Sequence, residues 1–379
     1  MSAPPVILEY FTAMHTHNAS DLYLTVGFPP SLRKENEIVH LSDNVLSEED
    51  VNGILASILT NRQRREFETS MELNSSLDVG KYGRFRVNVL KQRQNTALVL
   101  RRIISKIPDF ETLKLPEVLA PLSLEKRGLI LLTGMTGSGK STTMASMIDY
   151  RNEREHGHII TIEDPIEYYH DHKMSLISQR EVGVDTESYA VALKNALRQR
   201  PDVILVGEIR DREVMEQALT ASETGHLCMA SLHTNNAYQA IERIVTMFPE
   251  DAHSQLRITL SMNLKAIVSQ RLVPCTNGGM VAAVEVMLNK GLVRELIETG
   301  KVAKIKDVME QNNQIGMFTF DQALENLFRR GLITEETALS NADQSGDLKI
   351  RLQQITMGEG AEGNETLRRM DTSNFVISD

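Results

Sequence analysis

The stretch GMTGSGKST, residues 134–142, decides the fold of this chain. It satisfies G-x-x-x-x-G-K-[ST], and its context agrees with that pattern. The apolar run GLILLT precedes it as a buried-type strand, and STTMASMIDY follows it with helical character. In such a strand–loop–helix unit the glycines let backbone N–H groups converge on a phosphate without side-chain clash. The following helix adds its positive N-terminus. Gly134, Thr136, Gly137, Ser138, Gly139, Lys140, Ser141 and Thr142 are therefore the candidate nucleotide-binding residues. Lys140 suits the β- and γ-phosphates of ATP, and the Ser141 hydroxyl suits Mg²⁺. The competing reading, a Gly-rich turn that matches by chance, does not account for the strand and helix on either side.

Working outward, three more apolar strands end in chemically useful residues. RPDVILVGEIRD (residues 200–211) carries four apolar residues into Gly207 and Glu208. A carboxylate at the carboxyl end of a parallel strand sits where ligands bind in open α/β sheets. Glu208 there can hold Mg²⁺ through water or orient the attacking water, whereas Asp202, at the other end of the strand, reads as a cap or turn residue. IITIEDPIEYY (residues 159–169) ends in Glu163 and Asp164, with Pro165 stopping the strand. Strand alternation points those two acids to opposite sides, so they serve different tasks. TGHLCMASLHT (residues 224–234) places His226 and His233 at opposite ends of a strand. At about 3.3 Å per residue they lie roughly 20 Å or more apart, which excludes a shared metal ion or a catalytic dyad. His233, at the carboxyl end, fits a γ-phosphate sensor.

Strands alternating with helices from residue 128 onward predict a mostly parallel sheet flanked by helices. Residues 1–105 read differently, as a small α+β domain. SDLYLTVG alternates as a strand before the turn GFPP, and GRFRVNVLKQRQNTALVLRRI reads as a β-hairpin. SEEDVNGILASILTNRQRREFE opens with the capping signal Ser47-x-x-Asp50 and continues with helical periodicity. Its NRQRREFE portion reads as a solvated helix face. Residues 106–118 are Pro-rich and weakly periodic, which suits a linker. The nucleotide-binding domain then spans 119–356. Residues 357–379, polar and Gly-rich, read as a disordered tail.

Composition narrows the class. The 379 residues suffice for two domains with separate cores. A net charge of −10 and the absence of a Lys/Arg–aromatic cluster argue against a nucleic-acid partner. Cys228 and Cys275, without a CxxC pair, indicate neither a zinc motif nor a disulfide framework and suit a reducing cytoplasm. The N-terminus lacks a basic region followed by an apolar core, so no signal peptide is expected, and no apolar run approaches the ~20 residues of a membrane span. The scattered methionines, Met144, Met147 and Met215 among them, read as core filler.

Residues 134–141, TIEDPIEY, RPDVILVGEIRD and TGHLCMASLHT together resemble the Walker A, Asp-box, Walker B and His-box motifs of the secretion ATPase superfamily. Within it, ASDLYLTVGFPPSLR, GRFRVN, VGEIRD and IVSQRL are similar to the type IV pilus retraction ATPases, the PilT/PilU branch. IGMFTFDQAL and NADQSGDLKIRL lean toward the PilU side of that branch. The resemblance covers about residues 7 to 350. It implies a PAS-like N-terminal domain, a RecA-like P-loop ATPase domain, and a homo-hexamer that uses ATP and Mg²⁺. It also implies a cytoplasmic protein at the pilus base, on the inner membrane, working with a platform protein and a PilT-like retraction ATPase. Carried over by position, Lys140 and Ser141 match the Walker A lysine and metal-binding hydroxyl. Glu163 matches the acid preferred as catalytic base and Glu208 the metal-side acid, an assignment that can be exchanged. Arg86 and Arg101 match two arginines that reach nucleotide across a domain or subunit boundary. Two other classes compete with the motor: a RecA-like nucleic-acid translocase, and a regulatory or structural hexamer that binds nucleotide with little hydrolysis.

Overall fold

Residues 5–34, 37–103 and 106–356 are described by the computed structural model, so the expected tail at 357–379 lies outside the described residues. The chain divides into two compact units. The first comprises residues 1–106 with 167–169, and the second comprises residues 107–166 with 170–379.

In the first unit the order is α1 (Pro5–Thr16), β1 (Asp21–Thr25), β2 (Ser31–Lys34), β3 (Glu37–His40), α2 (Glu48–Ile58), α3 (Asn61–Ser70), β4 (Glu72–Asp78), β5 (Arg84–Gln92) and β6 (Asn95–Arg102). The six strands form one antiparallel sheet in the order β3-β2-β1-β6-β5-β4. Alternation in β5 sends Phe85, Val87 and Val89 to the buried face, where Phe11 of α1 meets Phe85 at 4.4 Å between ring centroids. Each such side chain contributes about 1.5–3 kcal/mol of burial. The helical pattern over residues 47–68 resolves into two helices, and capping chemistry is the reason. Ser47 and Asp50 close the expected box on α2. Leu59 then turns extended, and a second box, Thr60 with Gln63, starts α3.

The second unit runs α4 (Leu119–Ser123), β7 (Gly128–Thr133), α5 (Lys140–Asn152), β8 (His158–Glu163), β9 (Leu176–Glu181), α6 (Tyr189–Ala196), β10 (Val203–Val206), α7 (Arg212–Glu223), β11 (Leu227–Leu232) and α8 (Ala237–Thr246). It continues with α9 (His253–Asn263), β12 (Leu264–Pro274), β13 (Met280–Leu288), α10 (Leu292–Glu298), α11 (Ile305–Gln311), α12 (Phe320–Arg329), α13 (Glu335–Asn341) and α14 (Ser345–Thr356). The sheet order is β13-β12-β7-β11-β10-β8-β9, parallel throughout except for β13. Strands β7, β10 and β11 are buried along their whole length, as uninterrupted apolar runs covered on both faces require. Register fixes the working edge. Val206 pairs with Ile162 and Ala230, and Leu232 pairs with Thr133. The carboxyl ends of β7, β8, β10 and β11 therefore release Gly134, Asp164, Gly207 and His233 along one side of the sheet. Of residues 106–118, expected as a linker on composition, 107–118 fall within this unit: Leu115 and Val118 are buried in its core, and Phe110 stacks on Tyr150 at 5.1 Å. Met144, Met147 and Met215 are buried in the same core.

Candidate active site

The loop after β7 turns sharply because its glycines allow it. Gly139, the residue before α5, has φ +88°, and a Cβ there would stand 2.6 Å from the Gln270 amide nitrogen. At Gly134 a Cβ would meet the Gln270 carbonyl oxygen and the Ser138 hydroxyl, both at 2.4 Å. Only glycine fits either position. Lys140 Nζ donates to the carbonyls of Gly134 at 2.7 Å and Met135 at 2.9 Å, so its ammonium is held inside the loop where phosphate oxygens would be met. The Ser138 hydroxyl is buried without a hydrogen-bond partner among the described residues, as a group that awaits an acceptor would be. Gln270 of β12 closes the loop from the sheet side, where its Oε1 accepts from Thr143 Oγ1 at 2.8 Å.

The two strand-end glutamates are held by different partners. Glu163 Oε1 accepts from Thr161 Oγ1 at 2.6 Å and from Gln179 Nε2 at 3.3 Å, while Gln179 Oε1 in turn accepts from the His170 backbone N–H at 2.8 Å. Burial pushes the His170 imidazole down to about 4. Glu208 is gripped at both oxygens: His233 Nε2 lies 3.0 Å from Oε1, and Arg210 Nε donates to Oε2 at 2.8 Å. Arg210 also reaches Asp164 Oδ2 at 3.1 Å, linking the acids of two strands. Its hydrogen bond to Glu208 raises the Arg210 guanidinium above its ordinary range. Thr161 and Gln179 thus hold Glu163, while Arg210 reaches Asp164. Tyr189 packs its hydroxyl against Gly207, where a Cβ would come within 2.9 Å. Burial, reinforced by Asp164 and by the two glutamates, pushes its phenol far up.

The histidines separate as well. His226 precedes β11, its Nδ1 3.1 Å from both Thr224 Oγ1 and the Ala221 carbonyl, while His233 follows β11 and meets Glu208. Asp202 accepts the His158 backbone N–H at 2.8 Å, a turn contact at the opposite edge. In the first unit, Arg86 and Arg101 are direct cross-strand partners in the β5–β6 pair. Arg101 Nε donates to Asp21 at 2.7 Å, and that bond raises its guanidinium. Arg102 is instead opposite Phe85 and bonds Asn18. Two like charges directly opposed destabilise a sheet by a few tenths of a kcal/mol or more, and Asp21 sets one opposite charge against Arg101.

Sequence reading assigned no role to Arg210, Tyr189, Gln179 or Gln270. Arg210 and Gln270 lie inside motifs that carry the family resemblance, but Arg210 reaches Asp164 beyond β8 and Gln270 meets Thr143 of α5, and contacts so distant along the chain are invisible in the sequence alone.

A phosphate loop at the carboxyl edge of a parallel sheet, with separately held acids beside it, defines a P-loop ATPase. The chain belongs to the Type II/IV secretion system protein family, whose profile matches residues 68–340, and within it to the PilT/PilU branch. It is 49% identical over 334 residues to the type IV pilus ATPase PilU of Pseudomonas aeruginosa, covering 88% of this chain and 87% of that one. To the type IV pilus retraction ATPase PilT of the same organism it is 41% identical over 336 residues, covering 89% and 98%. The crystal structure of the pilus retraction motor PilT with bound ADP matches with a TM-score of 0.86 and 44% identity, covering 91% of this chain and 99% of that one.

Proposed function

We propose that this chain is a motor ATPase that assembles as a homo-hexamer and hydrolyses ATP to power type IV pilus retraction. In this reading it works as a PilU-like accessory beside a PilT-like retraction ATPase. It acts from the cytoplasmic side on an inner-membrane platform protein. Among the described residues no helix is long and apolar enough to cross a membrane. The carrying observation is the pair of separately held acids beside the phosphate loop: Glu163 on Thr161 and Gln179, Glu208 between His233 and Arg210.

The chemistry follows from those contacts. Lys140 exchanges the carbonyls of Gly134 and Met135 for β- and γ-phosphate oxygens when ATP enters. The donor set of Ser141 and Glu208 is all oxygen and suits Mg²⁺. The Ser141 hydroxyl and, through water, Glu208 would hold Mg²⁺, which would supply charge neutralisation at the phosphates. Glu163, oriented by two donors on one oxygen, takes a proton from the water that attacks the γ-phosphorus as the bond to the bridging β–γ oxygen breaks and ADP leaves. His233, already bonded to Glu208, reports whether a γ-phosphate is present. Gly134, Thr136, Gly137, Ser138, Gly139 and Thr142 shape the cradle. Arg86 and Arg101, paired across two strands, meet charge on the transferring phosphoryl from the first unit of the same or a neighbouring subunit, which ties turnover to domain position.

Lys140→Ala tests the motor reading. The purified variant is expected to lose ATP turnover, and a strain carrying it to lose the retraction force that this protein adds. Unchanged force would refute the motor. The accessory role is tested by deleting the gene where the PilT homologue is catalytically dead but assembled: residual retraction should disappear, and its persistence overturns the helper assignment.

A further inference from the structure

Strand β13 reads MVAAVEVML, and Glu285 is its only charged residue. That side chain is 3% exposed, and its carboxylate accepts the Ala237 backbone N–H at 2.9 Å. Burying an acid in an otherwise apolar strand is costly unless the acid makes a bond that nothing else supplies. Ala237 is the first residue of α8, whose unpaired N-terminal N–H groups and dipole favour a carboxylate at that point. Asn236 Oδ1 accepts from Gln239 N at 3.0 Å, so Asn236 and Glu285 divide the helix start between them.

The position of Glu285 across the sheet matters as much as its bond. It is the cross-strand partner of Ser269, and Ser269 is the partner of Thr133, the last residue before the phosphate loop. Thr133 also pairs with Leu232, the residue before His233. The connection from β11 to α8 is therefore anchored at both ends, by Leu232 in the sheet and by Ala237 on Glu285. Only four residues lie between those anchors, His233 among them, and His233 is the residue that reaches Glu208.

We propose that Glu285 is a positioning residue: by holding the N-terminus of α8 it fixes the loop that presents His233 to Glu208. This inference rests on the ATPase reading for its effect on turnover, but the anchoring itself does not. Glu285→Ala removes the acceptor, whereas Glu285→Gln keeps a carbonyl oxygen that can accept from Ala237. Ala237→Pro removes the donor instead. Proline is favoured at the first helical position, and Asn236 is already extended (φ −158°, ψ 175°) as a residue before proline must be. This second variant leaves the strand side chain untouched, so the proposal stays testable if Glu285→Ala folds poorly.

The test compares the three variants with wild type in the full-length protein, reading hydrogen exchange across residues 233–246 and steady-state ATP turnover. Loss of one anchoring hydrogen bond should speed exchange of this segment about tenfold in Glu285→Ala and Ala237→Pro, and leave Glu285→Gln at the wild-type rate. A misplaced His233 should lower kcat about tenfold in the same two variants with KM nearly unchanged, and Glu285→Gln should restore it. Wild-type exchange in Glu285→Ala overturns the anchor, as does a Glu285→Gln variant no better than alanine. Fast exchange with unchanged kcat overturns the link to His233. If wild-type protein shows no Lys140-dependent turnover, the ATPase reading fails, and the exchange data still decide the anchor.

Discussion

Two buried titratable groups in the nucleotide-binding unit should oppose each other in acid, and removing either should expose the other. Burial raises the Glu285 carboxyl from its ordinary 4.5 to about 7, with Asp343 adding to the rise and the Ala237 N–H, Ser269 and Arg271 opposing it. Burial lowers the His170 imidazole from 6.5 to about 4, with Asp149 and Asp171 opposing and Lys173 assisting. The signs follow from proton uptake. Glu285 binds its proton more tightly when folded, so its contribution is full below pH 4.5 and is lost as pH rises through 7. His170 binds its proton less tightly when folded, so its contribution is full above pH 6.5 and is lost as pH falls toward 4. At about 1.4 kcal/mol per pH unit, each swing amounts to about 3 kcal/mol. Between pH 4.5 and 6.5 the two slopes nearly cancel.

Glu285→Gln removes one slope. Relative to wild type, the stability of this variant should rise by up to about 3 kcal/mol from pH 4.5 to 6.5. His170→Asn should show the mirror image and lose relative stability over the same interval. The chain contains no tryptophan, so urea unfolding is best followed by circular dichroism at a series of pH values. Exposed carboxylates such as Asp50 and Asp78 are common to all three proteins and drop out of the differences. If both variants kept the wild-type slope, burial would not control either group and the reasoning would be refuted.

Two glycine-to-alanine changes should act with opposite sign. Gly139→Ala forces an alanine into φ +88° against the Gln270 amide; the strain of about 1–2 kcal/mol should weaken nucleotide binding about tenfold, measured with a fluorescent ADP analogue. Gly53→Ala lies mid-helix in α2 with open space around it, and should stabilise the first unit by about 0.5–1 kcal/mol, read as a higher urea midpoint. Burial pushes the Cys228 thiol up to about 12, whereas Cys275 is only half-buried. A maleimide should therefore label Cys275 in the native protein and Cys228 only after unfolding, and equal labelling rates would contradict the packing of β11.

What the sequence disclosed, it disclosed through local periodicity. The phosphate loop, the parallel strands and the two glutamates are written in contiguous runs: an apolar stretch, a punctuating glycine or proline, and a polar residue at the strand end. The break between α2 and α3 was equally local, because Thr60-x-x-Gln63 is a capping box, but the apolar periodicity continuing across Leu59 masked it. Residues 107–118 misled for the opposite reason. Their prolines suppress helical periodicity, yet Leu115 and Val118 still pack into the core, because burial needs apolar area and not regular structure.

The residues that escaped sequence reading share a different property: each acts through a partner far away in the chain. Gln270 lies 127 residues from Thr143, Glu285 lies 48 from Ala237, and Arg210 lies 46 from Asp164. Each distance is closed by strand order, β12 beside β7, β13 beside β12 and β10 beside β8, and that order is set by how whole strands pack. The same logic separates the two acids. Both end apolar strands and look interchangeable in sequence, yet Glu208 meets His233 from the next strand and Arg210 from its own loop, while Glu163 meets Gln179 of the edge strand β9. A carboxylate already held by an imidazole and a guanidinium is braced against charge arriving beside it. Glu163 is held in turn by a hydroxyl and an amide. On the proposed assignment Glu163 is the base and Glu208 the metal-side acid. It requires that Gln179→Ala disturb turnover more than nucleotide affinity, and that Arg210→Ala do the reverse.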